Sequence, residues 1–115
     1  GLTAAEREMI VVAVSIANQC QYCVVAHGAI LRVRAKDPGI SELVAANWRK
    51  AALPPRQRAM LEYATKVATA SFLVAEADRE ALRAAGLNED EIWDTGAIAA
   101  EEAAVIDRLQ ARLAA

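Results

Sequence analysis

The amino-acid sequence predicts an all-α fold of about six helices. Hydrophobic residues make up 56% of the 115 residues and aromatic residues only 4%, so small apolar side chains, many of them alanine, must form a core of closely packed helices. The apolar residues recur at helical spacing. No stretch combines the alternating pattern and the turn residues of a β-hairpin. The length predicts a single domain over residues 1–115.

Two helices are predicted in the first part of the chain. Thr3 and Glu6 match a capping box, which predicts a first helix over about Ala4–Ala17. Asn18 is suited to end this helix or to cap the next one. The second helix is therefore expected from about Gln19 to Arg34, with a Cys-x-x-Cys motif at its start.

Proline and glycine divide the rest of the chain. Asp37-Pro38-Gly39 predicts a turn, and Ser41 is the expected cap of a third helix over roughly Glu42–Ala52. Pro54-Pro55 ends that helix and opens a fourth over about Pro55–Ala70. Three further segments are predicted: a connector over 71–74, a short helix over about 77–85 that ends at Gly86, and a final helix from a cap at Asn88 and Glu91 to about Leu113.

The charge and the hydropathy of the chain exclude some classes of partner. The net charge is −2, and acidic and basic residues are mixed along the sequence. This balance argues against a nucleic acid or an anionic membrane held by bulk charge. No apolar run is long enough to span a bilayer, and the start lacks a signal-peptide pattern. The first residue is Gly1, not methionine, which suggests a piece of a longer chain.

The stretch from Glu8 to His27 contains both cysteines and the single histidine. Cys20 and Cys23 are three residues apart, and His27 follows four residues later. On a helix these three side chains fall within an arc of about 60° and share one face. Two thiols that can bridge, and a base that can ionise one of them, are the groups of thiol redox chemistry. The alternative interpretation is a pair of buried thiols and a core histidine.

Other uses of cysteine and histidine fit this spacing less well. A structural zinc site takes four Cys or His ligands, so zinc would need Glu8 or another subunit to complete the shell. Attachment of c-type haem requires a histidine directly after the second cysteine, where Val24 stands, and a thioredoxin-like motif lies near a βαβ pattern. We therefore predict no metal and no cofactor. The spacing favours redox work in a reducing compartment, the cytoplasm.

The residues suggest a peroxidase mechanism. His27 can accept the proton of Cys23 directly or through a water, and Glu8 can orient the imidazole. The Cys23 thiolate would attack a peroxide oxygen and become a sulfenic acid, which Cys20 would convert to a disulfide. The start of a helix stabilises thiolates, and this effect alone would favour ionisation of Cys20. Because a base within reach outweighs a partial dipole charge, we assign the thiolate to Cys23. Tyr22 lies between the cysteines and is the aromatic residue expected to touch the site.

The spacing Glu8-x11-Cys20-x2-Cys23-x3-His27 resembles the active-site pattern of the alkylhydroperoxidase D-like (carboxymuconolactone decarboxylase) superfamily. The stretches 2–8, 14–27 and 82–87 are similar to its peroxidase-related branch. The resemblance implies an all-α trimer, or a hexamer built from trimers, with Cys23 as the peroxidatic and Cys20 as the resolving cysteine. It also implies a Glu8/His27 proton relay, an external lipoyl- or thioredoxin-type dithiol as reductant, and a further helical segment before Gly1.

Two features depart from that family. The best-studied alkylhydroperoxidases have a histidine where Tyr22 stands, so part of their relay is missing. Members of the peroxidase-related branch tend to carry aromatic and asparagine residues late in the chain, where residues 101–109 are acidic and small here. The decarboxylase branch fits less well, because its enzymes do not need the cysteine pair.

The sequence leaves three candidate functions. The leading one is a thiol-dependent peroxidase or antioxidant disulfide reductase that consumes hydroperoxides. The second is a redox-sensing or interaction protein, in which the Cys-x-x-Cys pair switches an oligomer interface with little turnover. The third is a metal-binding module.

Overall fold

The computed structural model describes residues 1–114, which form six α-helices and one short 3-10 helix. No strand occurs in this range, so the predicted all-α fold class is confirmed. The helices are α1 (Ala4–Ala17), α2 (Gln21–Ala35), α3 (Pro38–Asn47), α4 (Pro55–Ala70), α5 (Glu76–Ala84) and α6 (Glu89–Ala114), and the 3-10 helix Ser71–Leu73 follows α4.

Helix α1 is the centre of the fold. It packs against α2, α3, α4 and α6, which surround it on several sides. This arrangement explains why α1 is apolar nearly all round: Ile10, Val12 and Val14 lie on different sides of the helix and are all fully buried. Because α1 contacts both α2 and α6, polar side chains from three helices can meet beside it.

Two capping boxes predicted from the sequence are present. The Thr3 hydroxyl accepts from the backbone N–H of Glu6, and the Glu6 carboxylate accepts from that of Thr3, both at 3.0 Å. Asn88 and Glu91 exchange the same two contacts at the start of α6, at 2.8 and 2.9 Å. Arg56, in the first turn of α4, donates to both glutamates. One guanidinium therefore joins the N-terminal ends of three helices.

The second helix begins two residues later than predicted. Asn18 and Gln19 form a tight turn, and Gln19 adopts a left-handed backbone conformation with φ of 57°. Cys20 is the N-cap residue of α2 rather than a member of its first turn. Its backbone N–H donates to the carbonyl of Ser15 at 2.8 Å. This contact fixes the start of α2 against the end of α1.

The prediction for the third helix was wrong at both ends. Asp37-Pro38-Gly39 does not form a separate turn, because Asp37 is the N-cap of α3 and accepts from the N–H of Gly39 at 2.9 Å. Proline is compatible with the first turn of a helix, so it opens α3 rather than preceding it. Ser41 lies inside the helix, is 4% exposed and is not a cap.

The remaining differences are small. Helix α4 has the predicted bounds, α5 begins and ends one residue early, and α6 ends one residue late. The predicted connector over 71–74 is largely the 3-10 helix. Within residues 1–114, no helix is long and apolar enough to cross a membrane.

Candidate active site

The two cysteines lie side by side at the start of α2. Cys20 is the N-cap residue and Cys23 is in the first turn, and both are free thiols. They are 6% and 5% exposed, and the Cys20 side chain is close enough to Cys23 to affect the pKa of its thiol. The structure therefore brings the predicted thiol pair together in a nearly closed environment.

His27 and Glu8 form the second pair of the site. Nδ1 of His27 lies 2.8 Å from Oε2 of Glu8, a contact that joins α2 to α1. The side chains are 32% and 14% exposed, so the pair lies at the edge of the site and not in the core. With Nδ1 engaged by a carboxylate, the orientation of the ring is set and Nε2 is left for other partners. The contact that the sequence predicts is present.

Glu102 is a further ionisable residue of the site, and it was not predicted as a site residue from the sequence. It comes from α6, is 9% exposed, and its Oε1 lies 3.5 Å from Oγ of Ser15. Its carboxyl group is close enough to Cys23, His27 and Glu8 for these side chains to affect its pKa. Three helices thus contribute ionisable groups to one cluster.

A periodic signal in the sequence could have pointed to Glu102. The buried residues Thr95, Ala99 and Ile106 of α6 are spaced by three or four positions around Glu102. A glutamate in the middle of such a stripe is forced into the interior, where carboxylates are rare unless they have a partner.

The surroundings of Cys23 favour the neutral thiol over the thiolate. Burial, together with the neighbouring Cys20 and Glu102 side chains, raises the pKa of the Cys23 thiol to about 12. Burial also raises the pKa of Glu102, and the nearby His27 with the hydrogen bonds of Ser15 and Cys23 offsets only part of this. At Cys23, desolvation and the acidic neighbour outweigh any stabilisation of a thiolate by the start of the helix.

Tyr22 lies between the cysteines in sequence but faces solvent. Its side chain is 74% exposed. Val25 and Val33 of the same helix are 64% and 75% exposed, so this side of α2 presents apolar surface next to the buried thiols. A role for Tyr22 in the substrate pocket stays a prediction.

The metal-binding alternative lacks a preformed ligand cluster in the described part of the chain. Among residues 1–114, no group of three or more His, Cys, Asp or Glu side chains is arranged to hold a metal ion.

Comparison with known proteins identifies the class to which this fold and site belong. The family model described as "Carboxymuconolactone decarboxylase family" matches residues 1–46. A solved structure from Ralstonia eutropha JMP134, described as an alkylhydroperoxidase AhpD core and an uncharacterized peroxidase-related protein, is 57% identical over 95% of this chain, with a TM-score of 0.88. An uncharacterized peroxidase-related protein from Silicibacter sp. TM1040 is 43% identical over 96%, with a TM-score of 0.91.

The chain belongs to the alkylhydroperoxidase D-like, carboxymuconolactone decarboxylase superfamily. Within it, the chain is a member of the peroxidase-related branch. It spans 57% and 58% of the lengths of the two solved structures. No curated protein matches the sequence.

Proposed function

We propose that this chain is a thiol-dependent peroxidase that reduces hydroperoxides through the Cys20–Cys23 pair. The observation that carries the proposal is the buried dithiol beside a His27–Glu8 pair held at 2.8 Å. Thiol, base and orienting carboxylate within one cluster are the components of an activated nucleophile. The peroxidase-related names of the two similar structures support the same class of activity.

The reaction begins at Cys23. As the thiol loses its proton to the acid–base groups of the site, its sulfur attacks the terminal oxygen of the hydroperoxide and the O–O bond breaks. Cys23 becomes a sulfenic acid, and the leaving alkoxide takes up a proton to give an alcohol. Cys20 then attacks the Cys23 sulfur, which forms the disulfide and releases water. We assign Cys23 as the attacking residue because it lies one helical turn from His27.

Return to the dithiol requires an external reductant. We propose a small dithiol of the lipoyl or thioredoxin type, which would reduce the disulfide by exchange through a mixed disulfide. We also propose that the chain works in the cytoplasm as a homo-oligomer, a trimer or a hexamer. The exposed apolar side of α2, which includes Val25 and Val33, supports a subunit contact near the site.

Variants at the two cysteines test the assignment of roles. We expect Cys23→Ser to abolish consumption of tert-butyl hydroperoxide, because the attacking sulfur is lost. We expect Cys20→Ser to react once and to stop at a Cys23 sulfenic acid, which dimedone would label and mass spectrometry would locate. Full peroxide turnover by Cys23→Ser would refute the proposal, and dimedone labelling at Cys20 in Cys23→Ser would reverse the two roles.

A redox switch is the second candidate function. The observation that favours it is the exposed Tyr22, which lies between the cysteines in the first turn of α2. Closure of a disulfide there would reorient the turn and with it the apolar surface. The switch predicts different subunit masses for the reduced and the oxidised protein by light scattering, together with negligible peroxide turnover. The peroxidase predicts fast turnover, whatever the subunit mass.

A further inference from the structure

We propose that Gln110 is a positioning residue for closure of the Cys20–Cys23 disulfide. From α6 it holds the turn of Asn18 and Gln19, through which the chain enters Cys20. The proposal rests on the proposed function, because it requires that the two thiols form a disulfide. The contact that carries it is a hydrogen bond of 3.1 Å from Nε2 of Gln110 to the backbone carbonyl of Asn18. It joins α6 to the residue two positions before the first cysteine.

The backbone of Cys20 is held on both sides. Its N–H donates to the carbonyl of Ser15 at 2.8 Å, and its carbonyl accepts from the N–H of Val24 at 3.0 Å. Cys20 is the N-cap residue of α2, but its side chain makes no capping hydrogen bond. A serine or an aspartate at this position would use its side chain as a cap. The sulfur of Cys20 is instead left to react with Cys23 while the backbone stays in place.

Gln19 is the strained residue of the turn. Its φ of 57° lies in the left-handed region, which residues with a Cβ atom disfavour. Rotation of the peptide group between Asn18 and Gln19 would bring φ back to a negative value and relieve this strain. The same rotation would change the direction in which the chain enters α2. Strain of this kind persists only where the surrounding structure holds the backbone in place.

Both polar ends of that peptide group are bonded in the structure. The N–H of Gln19 donates to the carbonyl of Ile16 at 3.0 Å, which is a contact within the turn itself. The carbonyl of Asn18 accepts from Gln110, which belongs to a different helix. Because rotation of the peptide group would break both bonds, Gln110 opposes the relaxation of Gln19 from outside the turn.

Helix α6 gives this contact a fixed support. It packs along α1, and Ile106, four residues before Gln110, is fully buried. A side chain carried by a packed helix positions its partner more precisely than one carried by a loop. Gln110 itself is exposed, so its single hydrogen bond adds only a modest amount to the stability of the fold. Its effect is on the conformation of the turn that is populated.

Closure of the disulfide depends on that population. In this step the Cys20 sulfur attacks the sulfenic sulfur of Cys23, the S–S bond forms and the S–O bond breaks. The hydroxide leaves with the Cys20 proton as water, and Gln110 exchanges no proton. If a fraction of the molecules has a relaxed turn, the rate and the equilibrium constant of closure fall with the competent fraction. Loss of one hydrogen bond predicts a fall of about three- to tenfold.

Gln110→Met tests the proposal, because methionine has a similar length but lacks the N–H donor. The reduced and oxidised fractions of the Cys20–Cys23 pair are measured in buffers of reduced and oxidised dithiothreitol. We expect the equilibrium constant for disulfide formation to fall by about three- to tenfold, which raises the reduction potential by about 15–30 mV. Gln110→Lys keeps an N–H donor and should stay near the wild-type value. Arg112→Met, a change at another exposed residue of α6, is the control.

A second variant tests whether the contact works against the strain at Gln19. Glycine adopts a positive φ readily, so in Gln19→Gly the turn has less reason to relax. The effect of Gln110→Met on the potential should therefore be smaller in a Gln19→Gly background, as measured by a double-mutant cycle. A contact that only supports the fold would lower the Tm of the reduced and the oxidised protein equally and leave the potential unchanged.

The outcomes separate this proposal from the proposed function. An unchanged potential in Gln110→Met, or the same shift in Arg112→Met, would overturn the role of Gln110 whether or not the protein consumes hydroperoxide. A shift in Gln110→Met alone, in a protein that does not consume tert-butyl hydroperoxide, would support the positioning role and refute the peroxidase. In an active peroxidase, Gln110→Met should leave the first loss of the Cys23 thiol unchanged and increase the sulfenic acid that dimedone traps.

Discussion

The thiol of Cys23 lies among groups that favour its protonated form. Burial and the neighbouring Cys20 and Glu102 keep the thiol neutral, so the reactivity of the residue depends on transfer of the proton during attack. The sequence predicts Cys20, Cys23, His27 and Glu8 because they fall within one short stretch and its preceding helix. The spacing of buried residues on α6 indicates that Glu102 is buried, but it does not show that Glu102 lies near Cys23, because that depends on the packing of α6 against α1.

Glu8→Gln tests the part of the site that the sequence does predict. The variant removes the carboxylate that orients His27, so we expect oxidation of the thiols at pH 7 to slow by about 10- to 100-fold, as for loss of other orienting partners. Thermal stability should change little, because Glu8 is at the edge of the cluster. The measurement is the rate of thiol loss after addition of tert-butyl hydroperoxide, with Glu101→Gln as the control. An unchanged rate would remove Glu8 and its contact from the mechanism.

The packing of α2 on α3 shows which features of the helices can be predicted from the sequence and which cannot. The small residue Gly28 predicts close approach of another helix, and a Cβ atom there would lie 2.9 Å from Oγ of Ser41. The partner helix itself was misplaced, because Asp37-Pro38-Gly39 carries the signals of both a turn and a helix start. Local sequence does not distinguish a turn from the start of a helix at this point. The burial of Ser41 against α2 favours the helix, and burial is a property of the folded chain.

Gly28→Ala tests this contact. The added methyl group should destabilise the protein, because the gain in helix propensity of about 1 kcal/mol is outweighed by a clash that typically costs about 1–3 kcal/mol. In a Ser41→Ala background the oxygen is gone, so the same change should cost less. Urea unfolding of the four proteins in the cycle should give a coupling free energy of about 1 kcal/mol. Strictly additive free energies of unfolding would show that the two residues do not meet.

Arg56 links distant parts of the whole molecule. It donates to Glu6 at the start of α1 and to Glu91 at the start of α6, residues that are far apart in sequence. The hydrogen bonds of Arg56 and of the Asn88 backbone lower the pKa of Glu91 to about 2. Burial alone would raise the pKa of Glu6, but its bonds to Arg56 and Thr3 outweigh burial and lower it. Capping signals in the sequence predict the start of each helix. They do not predict that one arginine donates hydrogen bonds to the capping glutamates of both helices.

These shifts predict acid sensitivity of the fold. A carboxyl group whose pKa is lower in the folded state stabilises the protein above its ordinary pKa, and this contribution is lost as the pH falls through the folded value. We therefore expect the Tm to fall between about pH 5 and pH 2. Arg56→Met should lower the Tm at pH 7 by several degrees and weaken its dependence on acid pH, as followed by circular dichroism.

Arg83 provides the matched control for Arg56. It also pairs with several glutamates, but these are exposed on the surface of the protein. Arg83→Met should change the Tm much less, since exposed ion pairs contribute little to stability. Equal effects of Arg56→Met and Arg83→Met would contradict a special role for the Arg56 cluster.

The measurement that tests the central claim most directly is stopped-flow mixing of the fully reduced protein with tert-butyl hydroperoxide, followed by a count of the remaining thiols. The account predicts the loss of both thiols of each chain, at a rate far above that of free cysteine at the same pH, with an intramolecular Cys20–Cys23 disulfide as the product. Oxidation no faster than free cysteine, and unaffected by His27→Ala, would contradict the peroxidase and favour the redox switch.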